Sequence, residues 1–591
     1  MYRTTAPRLC VALSLCAFSL SGCKHAKRVS IVAGTDYSAS VQKLLSTPQL
    51  PTLRWANYVE YQPQVQAFYT GRDSELAWTR ELQPTPAAKQ LMQLFGDAAL
   101  KGLDPEDYDA SRWAVRLQQL DRIRTNHDAS EQAQNTVAQF DVAMTVCALR
   151  YVSDLHLGRI NPETLNFDID VPAKRGAFDV VKLLSEQIVG SSDVASVVAG
   201  VEPQNPHYQA AEAALPQYIE LARQQEMNPL APLPPVAKPI EAGGTYPDMP
   251  GLLQHLLADW PGGLSLDTAH GYTDSFAEIV KQYQQRHGLL PDGKLGQGTI
   301  DALNVPLGKR VRSIDDALER WRWLPDAYVQ PRVLVNLPEF MLRAYGPDHT
   351  LAFKMEVVDG EAKGFHDTPM FVRQMRYVVF RPYWNLPPSI IKKEIVPHLR
   401  KSGIGYLEKG DYEATTSNGT VVPNPTVEDI AHLRYAVRQR PGPKNSLGLV
   451  KFLFPNEYDV YMHSTPELFL FNLSRRDKSH GCVRLQHADQ MAQWVLGSDQ
   501  KDPAKQTTWD LDSIHHAMND EDKNNKTINL KTPLPVVITY MTAMADEDGT
   551  MHFFNDIYGY DKDLDAALAK GRPYAQGPAK INPTLVAGET E

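Results

Sequence analysis

The stretch that decides the fold of this chain runs from Val460 to Arg484. It reads Val460-Tyr461-Met462-His463-Ser464 and then, after an interval from 465 to 478, Ser479-His480-Gly481-Cys482-Val483-Arg484. The β-branched, aromatic and apolar residues before His463 are typical of a short β-strand. We therefore predict that His463 closes a strand, which would hold its imidazole rigidly, and that Cys482 lies at the end of a loop.

A cysteine and a histidine in this arrangement can act as a nucleophile and its base, because a thiol needs a base to become a thiolate at neutral pH. Cys482 precedes an amphipathic segment, 488–496. We expect the N–H groups of a helix start near Cys482, where they would lower the pKa of the thiol and supply oxyanion donors. A zinc site built from His463, His480 and Cys482 is an alternative, but a clear fourth ligand and the usual short ligand spacing are missing.

The sequence around this stretch predicts a β-rich domain over residues 331–545. Short β-branched and aromatic runs bounded by Gly, Pro, Asn or Asp indicate strands, and they lie at 333–337, 351–358, 377–380, 460–462 and 536–540. A longer polar and helical stretch, about 391–455, interrupts them. Insertions of that size commonly form lids over sites. Residues 546–591 are interpreted as a C-terminal extension, expected to fray from about Gly571.

The N-terminal half has a helical pattern. Residues 86–99 and 131–155 repeat apolar side chains at three- and four-residue spacing, which predicts amphipathic helices in a scaffold domain over 51–245. A proline- and glycine-rich stretch then marks a boundary. We predict a small three-helix domain over 246–310, followed by a linker, 311–330, with a connecting helix from Ser313 to Trp323. The predicted fold class is therefore multidomain α+β, helical at the N-terminus and β-rich at the C-terminus.

Composition restricts the class of protein. The chain has 591 residues, of which 43% are hydrophobic and 22% charged, as in soluble globular proteins. Its formal net charge of −10 argues against a general nucleic-acid binder. Of its five cysteines, Cys10 and Cys16 lie in the segment interpreted below as a signal peptide and Cys23 is the expected lipidation site, which leaves Cys147 and Cys482. Too few remain for a disulfide framework, and we interpret Cys147, in a predicted helix, as a buried structural thiol.

The first residues predict export. Arg3 and Arg8 precede an apolar run, 9–20, that is too short to span a bilayer. The run ends in Leu20-Ser21-Gly22-Cys23, which resembles the lipobox of bacterial lipoproteins. The resemblance implies a signal peptide over 1–22, lipidation of Cys23 and a tether over 23–50. Lys24 favours a periplasmic protein anchored to the outer membrane of a Gram-negative bacterium. An ordinary signal peptide is the alternative.

The histidine, the interval and the Ser-His-Gly-Cys-Val-Arg run resemble the signature of L,D-transpeptidases with a YkuD-type catalytic domain. The resemblance implies that Cys482 is the nucleophile and His463 its base, and that Ser464 orients His463 through its backbone carbonyl. It also implies that His480 and Gly481 line the site and help to form the oxyanion hole. No cofactor or metal is implied.

Further segments resemble the larger members of this family, which carry helical scaffolds and capping insertions: 383–387, 442–448 and 556–558. The residues expected to contact substrate are Ser479, Arg484, Asn445, Tyr461 and Trp384. The pattern at 276–303 resembles the type 1 peptidoglycan-binding domain, and a generic three-helix bundle is the alternative reading of that pattern.

The family resemblance implies a reaction on peptidoglycan stem peptides. The donor would be a tetrapeptide stem, cleaved after its third residue with release of D-alanine, and the resulting cysteine thioester would pass to an amine of a neighbouring stem. Carbapenems would acylate the same thiol. Two other classes remain open: a cysteine carboxypeptidase or amidase acting on stems, and a non-catalytic wall-binding lipoprotein.

Overall fold

The structure is a computed structural model that describes residues 36–260, 271–362, 366–498 and 509–574. The predicted signal peptide and Cys23 lie outside the described residues, and the part of the predicted tether that is described contains a helix, Ser38–Leu45. Within the described ranges, no helix combines the length and the apolar composition needed to cross a membrane.

The N-terminal region is helical, as predicted. Its centre is the helix Glu131–Leu157, which begins at an N-cap where Ser130 accepts a hydrogen bond from the Ala133 N–H. From Phe140 onward this helix is buried at every position except His156, and Cys147 is fully buried on it. The helices of this region are Ser38–Leu45, Gln62–Thr70, Pro86–Gly96, Trp113–Thr125, Glu131–Leu157, Val171–Ala177, Val180–Leu183, Val194–Ala199 and Pro206–Met227.

A small helical domain follows, with helices Met249–Ala258, Asp274–Arg286 and Gln297–Leu303. Phe276 and Val280 on the second helix pack with Ile300 in a separate core. The Gln284 side chain organises the turn before the third helix, because its carbonyl accepts from the Gly293 N–H at 2.8 Å and its amide donates to Lys294 O at 2.8 Å.

The connecting helix differs from the prediction. It spans Leu307–Trp323 rather than beginning at Ser313. The helix also packs between the helical region and the sheet, where it buries charged side chains. Glu319 accepts hydrogen bonds from the Arg159 guanidinium at 3.1 Å and the Ile160 N–H at 3.0 Å. Its apolar residues share one core with the last helix of the N-terminal region and the central sheet.

The C-terminal region contains a nine-stranded sheet. The strand order is Asp477–Ser479, Leu351–Gly360, Val483–Leu485, Met462–His463, Val450–Leu453, Phe371–Phe380, Lys526–Thr539, Val333–Asn336 and Met341–Tyr345. Leu351–Gly360 also pairs with the last of these strands, so that the sheet closes on itself like a barrel. The predicted β-rich domain is confirmed, and the helices Ala488–Ser498, Leu511–Asn519 and Tyr560–Leu568 lie in the same region.

A capping segment, residues 384–439, lies between two strands of this sheet. Its strands Trp384–Asn385, Ala436–Gln439 and Tyr412–Thr415 form a separate three-stranded sheet. Its helical parts are Pro388–Ile390, Ile391–Ile395, Val396–Ser402, Gly405–Lys409 and Val427–Ala431, and it has its own core. The predicted range 391–455 was wrong at its end, because Val450–Leu453 pairs with Phe371–Phe380 in the main sheet.

The predicted C-terminal extension is integrated into the fold as far as Tyr574. The strand Met551–Phe553 pairs with Ala543–Ala545. Arg572 is buried and ion-paired with Asp154 of the long N-terminal helix, and the Tyr574 hydroxyl donates to Asp107 at 2.9 Å. The expectation that the chain frays from Gly571 is therefore wrong for residues 571–574, because these contacts hold them against the helical region.

Candidate active site

Strand pairing places the predicted nucleophile and base on one face of the sheet. Met462–His463 and Val483–Leu485 are parallel neighbours, with His463 opposite Arg484. The Val483 N–H donates to Tyr461 O at 3.0 Å. The same register, continued by one residue toward the N-terminus of each strand, places Tyr461 opposite Cys482. Alternate residues of a strand share a face. Cys482 directly precedes one of these strands and His463 ends the other, and the two residues therefore face the same side.

His463 is held as a neutral base. Its Nδ1 lies 2.6 Å from the Ser464 backbone oxygen. We assign the proton to Nδ1, because only a donor can bond to a carbonyl, and this leaves the lone pair of Nε2 free to accept a proton. The side chain is buried, and burial, followed by the charge of Arg484, lowers the pKa of His463 to about 3. The imidazole is therefore uncharged at neutral pH.

The Ser464 hydroxyl forms its hydrogen bonds with backbone groups. It accepts hydrogen bonds from the N–H groups of Leu449 at 2.7 Å and Val450 at 3.1 Å. Gly448 has a left-handed φ of +61°, and a Cβ there would overlap this hydroxyl. The Ser464 side chain thus fixes the preceding turn, while its carbonyl oxygen fixes His463.

As a residue Cys482 is partly exposed, and its sulfur lies 3.6 Å from Asp459 O. Burial of the sulfur raises the pKa of the Cys482 thiol to about 11, opposed mainly by hydrogen bonding to Tyr461. The expectation of a lowered pKa at a helix start is wrong, because Cys482 is followed by the strand Val483–Leu485 and the helix begins only at Ala488. Thiol and imidazole are therefore both neutral in the resting site.

Ser479 and Gly481 shape the loop that presents the thiol. The Ser479 hydroxyl donates to Cys482 O at 2.6 Å and accepts from the Gly481 N–H at 3.1 Å. Gly481 was expected to help to form the oxyanion hole, but its N–H is occupied by a side chain of the same loop. Gly481 has a φ of +116°, a conformation that favours glycine, and its carbonyl accepts from the Thr368 hydroxyl at 2.8 Å.

His480 is directed toward the capping segment. Its Nε2 lies 2.6 Å from the Glu394 carboxylate, and its ring meets the His366 ring edge-on with centroids 5.2 Å apart. A zinc site with His463 and Cys482 finds no support, because in the described part of the chain no three His, Cys, Asp or Glu side chains are grouped closely enough to hold a metal ion.

The predicted substrate contacts divide into two groups. Tyr461 and Arg484 lie on the face of Cys482. The Tyr461 ring centre is 5.8 Å from that of His463, and Arg484 is ion-paired with Glu467. Asn445 and Trp384 lie elsewhere. The Asn445 amide is buried and donates to three backbone carbonyls at the base of the capping segment, and Trp384 packs on the capping core.

Sequence reasoning missed two charged residues of this region. Lys451 lies opposite His463 on the neighbouring strand, and Glu394 contacts His480 from the capping segment. The alternation of apolar and polar residues over Val450–Leu453 could have indicated that Lys451 points away from the core. No local pattern distinguishes Glu394, because its contact joins residues far apart in the sequence.

Three family models match the chain. Residues 330–538 match the "L,D-transpeptidase catalytic domain", 251–303 the "Putative peptidoglycan binding domain" and 63–215 the "Scaffold domain". These matches confirm the family resemblance inferred from the signature around Cys482, and they agree with the order of helical and β-rich regions in the structure.

Individual proteins show the same likeness over part of the chain. A protein of Haemophilus influenzae with the name "Putative L,D-transpeptidase" is 30% identical over 252 residues, which cover 42% of this chain and 48% of that relative. The chain thus spans about half the length of this relative. A crystal structure of the L,D-transpeptidase from Xylanimonas cellulosilytica is 16% identical and covers 52% of this chain and 100% of that one, with a TM-score of 0.14, too low to support an argument.

Proposed function

We propose that this chain, whose residues 330–538 match the L,D-transpeptidase catalytic domain, cross-links peptidoglycan by transferring an acyl group from a tetrapeptide stem to an amine of a neighbouring stem. One observation carries the proposal. Cys482, directly before one strand, and His463, at the end of its parallel neighbour, face the same side, and the Ser464 carbonyl holds His463 with its unprotonated Nε2 available as a base.

Proton transfer accompanies nucleophilic attack. Because thiol and imidazole are both neutral at rest, Nε2 of His463 takes the Cys482 proton as the sulfur attacks the carbonyl of the third stem residue. The C–S bond forms, the peptide C–N bond breaks, and the imidazolium returns its proton to the nitrogen of the departing D-alanine. The product is a thioester on Cys482.

The second half of the reaction repeats these roles. An amine of a neighbouring stem attacks the thioester and gives a proton to His463, an amide C–N bond forms, the C–S bond breaks, and the proton returns to the sulfur. Water competes with the amine for the thioester. The capping segment contacts the catalytic loop through Glu394 and His480, and a cover at this position favours the amine by excluding bulk solvent.

Product analysis tests the proposal. Purified protein incubated with tetrapeptide stems is expected to release D-alanine and form cross-linked dimers detectable by mass spectrometry, and Cys482→Ala is expected to form none. Cys147→Ala is the matched control, since it removes the other described thiol, which is buried away from the site. Tripeptide monomers without dimers would instead indicate a carboxypeptidase that transfers the acyl group to water.

The cellular setting is part of the proposal. The sequence of residues 1–23 supports export and a lipid anchor on Cys23, which would hold the enzyme in the periplasm of a Gram-negative bacterium, at the outer membrane. Incorporation of a labelled fatty acid that is lost in Cys23→Ala tests the anchor. A carbapenem is expected to acylate Cys482, with a mass shift that is absent from Cys482→Ala.

A further inference from the structure

A lysine shares the sheet face of the Cys482 thiol. Lys451 belongs to the strand Val450–Leu453, which runs antiparallel to Met462–His463 with Lys451 opposite His463. Directly opposed residues of neighbouring strands point to the same face, so Lys451 faces the same side as His463. Its ammonium nitrogen lies 5.4 Å from the centre of the Tyr461 ring, and Tyr461 is the residue opposite Cys482.

This ammonium has no anionic partner in the described part of the chain. Lys451 is half-buried, yet no described carboxylate lies within ion-pair distance of its nitrogen. Arg484, which lies on the same face, is in contrast ion-paired with Glu467. Burial lowers the pKa of Lys451, and only the Cys482 thiol opposes that shift. An unpaired, partly desolvated charge is costly to keep, which points to an anion that binds there during function.

We propose that Lys451 binds the terminal carboxylate of the donor stem. The inference rests on the proposed function, in which Cys482 attacks the carbonyl of the third residue and the fourth residue leaves with a free carboxylate. That carboxylate lies one residue beyond the attacked carbonyl, a span of roughly 3.3–3.6 Å. The strand of Lys451 is two places from that of Cys482, and neighbouring strands are about 4.8 Å apart. The long lysine side chain covers the remaining separation.

Terminal carboxylate recognition explains how the site would select its donor. A cation placed one residue past the scissile bond favours a stem that ends there. A stem extended by a further residue would place a neutral peptide group at Lys451 and leave the ammonium unpaired. Stem peptides also carry side-chain carboxylates that share this chemistry, so the test must separate the terminal group from the others.

The test compares donors that differ in one charge. Wild type and Lys451→Met are assayed with the tetrapeptide, with the same peptide bearing a terminal carboxamide, and with peptides amidated only at a side-chain carboxylate. Wild type is expected to prefer the terminal carboxylate over the carboxamide by roughly tenfold to a hundredfold in kcat/KM, as for a hydrogen bond to a charged group. Lys451→Met is expected to lose this preference, mainly through KM, while its rate with the carboxamide donor stays near that of wild type.

Two further variants sharpen the test. Lys478→Met removes an exposed lysine from a strand near the catalytic loop and is expected to keep the wild-type preference. Lys451→Arg keeps the charge and is expected to restore part of it. The inference is overturned if Lys451→Met retains the preference, slows all donors equally, or changes the response to a side-chain amide instead. If wild type converts none of the donors, the proposed function itself fails.

Discussion

Nε2 of His480 lies 2.6 Å from Oε1 of Glu394, which ties the loop presenting Cys482 to the capping segment 384–439. Glu394 belongs to a π-helical turn, Ile391–Ile395, a local irregularity that is frequent at functional sites. Both side chains are partly exposed, so that water competes for this contact. Cys482, the proposed nucleophile, follows His480 by two residues, so this hydrogen bond couples the capping segment to the loop that carries Cys482.

We expect Glu394→Ala to loosen this coupling. Loss of one partly exposed, charge-assisted hydrogen bond is worth about 1 kcal/mol, so kcat/KM for cross-linking should fall several-fold. The ratio of tripeptide to dimer should rise, because water reaches the thioester more easily. Quantitative mass spectrometry of the products measures both effects. Glu408→Ala, an exposed position in the same segment, serves as the control, and an unchanged product ratio in Glu394→Ala would contradict the coupling.

Peptide-resolved alkylation should distinguish the two described thiols. The pKa of the Cys482 thiol is raised to about 11, so its thiolate fraction is small at pH 7 and grows through pH 10. The labelling rate of Cys482 with iodoacetamide should therefore rise throughout this range. Cys147 is buried, its pKa is raised to about 12, and it should remain unlabelled until the protein unfolds. A plateau for Cys482 near pH 7 would show instead a thiolate already formed at rest.

We expect Gly448→Ala to displace His463 indirectly, through Ser464. Gly448 has a left-handed φ of +61°, and a Cβ would overlap the Ser464 hydroxyl. Relief of this overlap displaces Ser464, whose carbonyl holds His463. We expect at least a tenfold loss of cross-linking rate and a loss of stability of about 1–3 kcal/mol. Gly405→Ala, where a Cβ meets no atom within 4 Å, should leave both quantities nearly unchanged.

Glu319→Gln should weaken the junction between the helical region and the sheet. Glu319 is fully buried and ion-paired with Arg159 at 3.1 Å, so its neutralisation leaves a buried guanidinium uncompensated. Removal of one partner of such a pair typically costs about 3–5 kcal/mol, which thermal unfolding should detect as a clearly lower midpoint. The exposed pair of Glu220 and Arg223 provides the control, and Glu220→Gln should hardly change the midpoint. Equal midpoints for the two variants would argue against a structural role for Glu319.

Local sequence was sufficient for the order of the helical and β-rich regions, and it supplied Cys482 and His463 as the predicted central residues of the site. The spacing of apolar residues predicted the helices near 86–99 and 131–155, and β-branched runs predicted most strands of the main sheet, because both depend on which face each element buries. Boundaries were less predictable. The connecting helix begins earlier than expected. The strand Val450–Leu453 was assigned to the insertion, because a short apolar run does not by itself indicate which strand it pairs with.

By itself the sequence determined the identity and order of the chemical groups: a histidine at the end of a strand, a cysteine after glycine, and the motif around them. Only the tertiary structure decided which groups surround the thiol and in what charge state. The parallel pairing of Met462–His463 with Val483–Leu485 places His463 on the same face as Cys482, and burial of each group keeps both neutral. The same packing leaves Lys451 without an anionic partner among the residues that the structure describes, and it turns Asn445 inward. Burial and charge depend on neighbours contributed by distant parts of the chain.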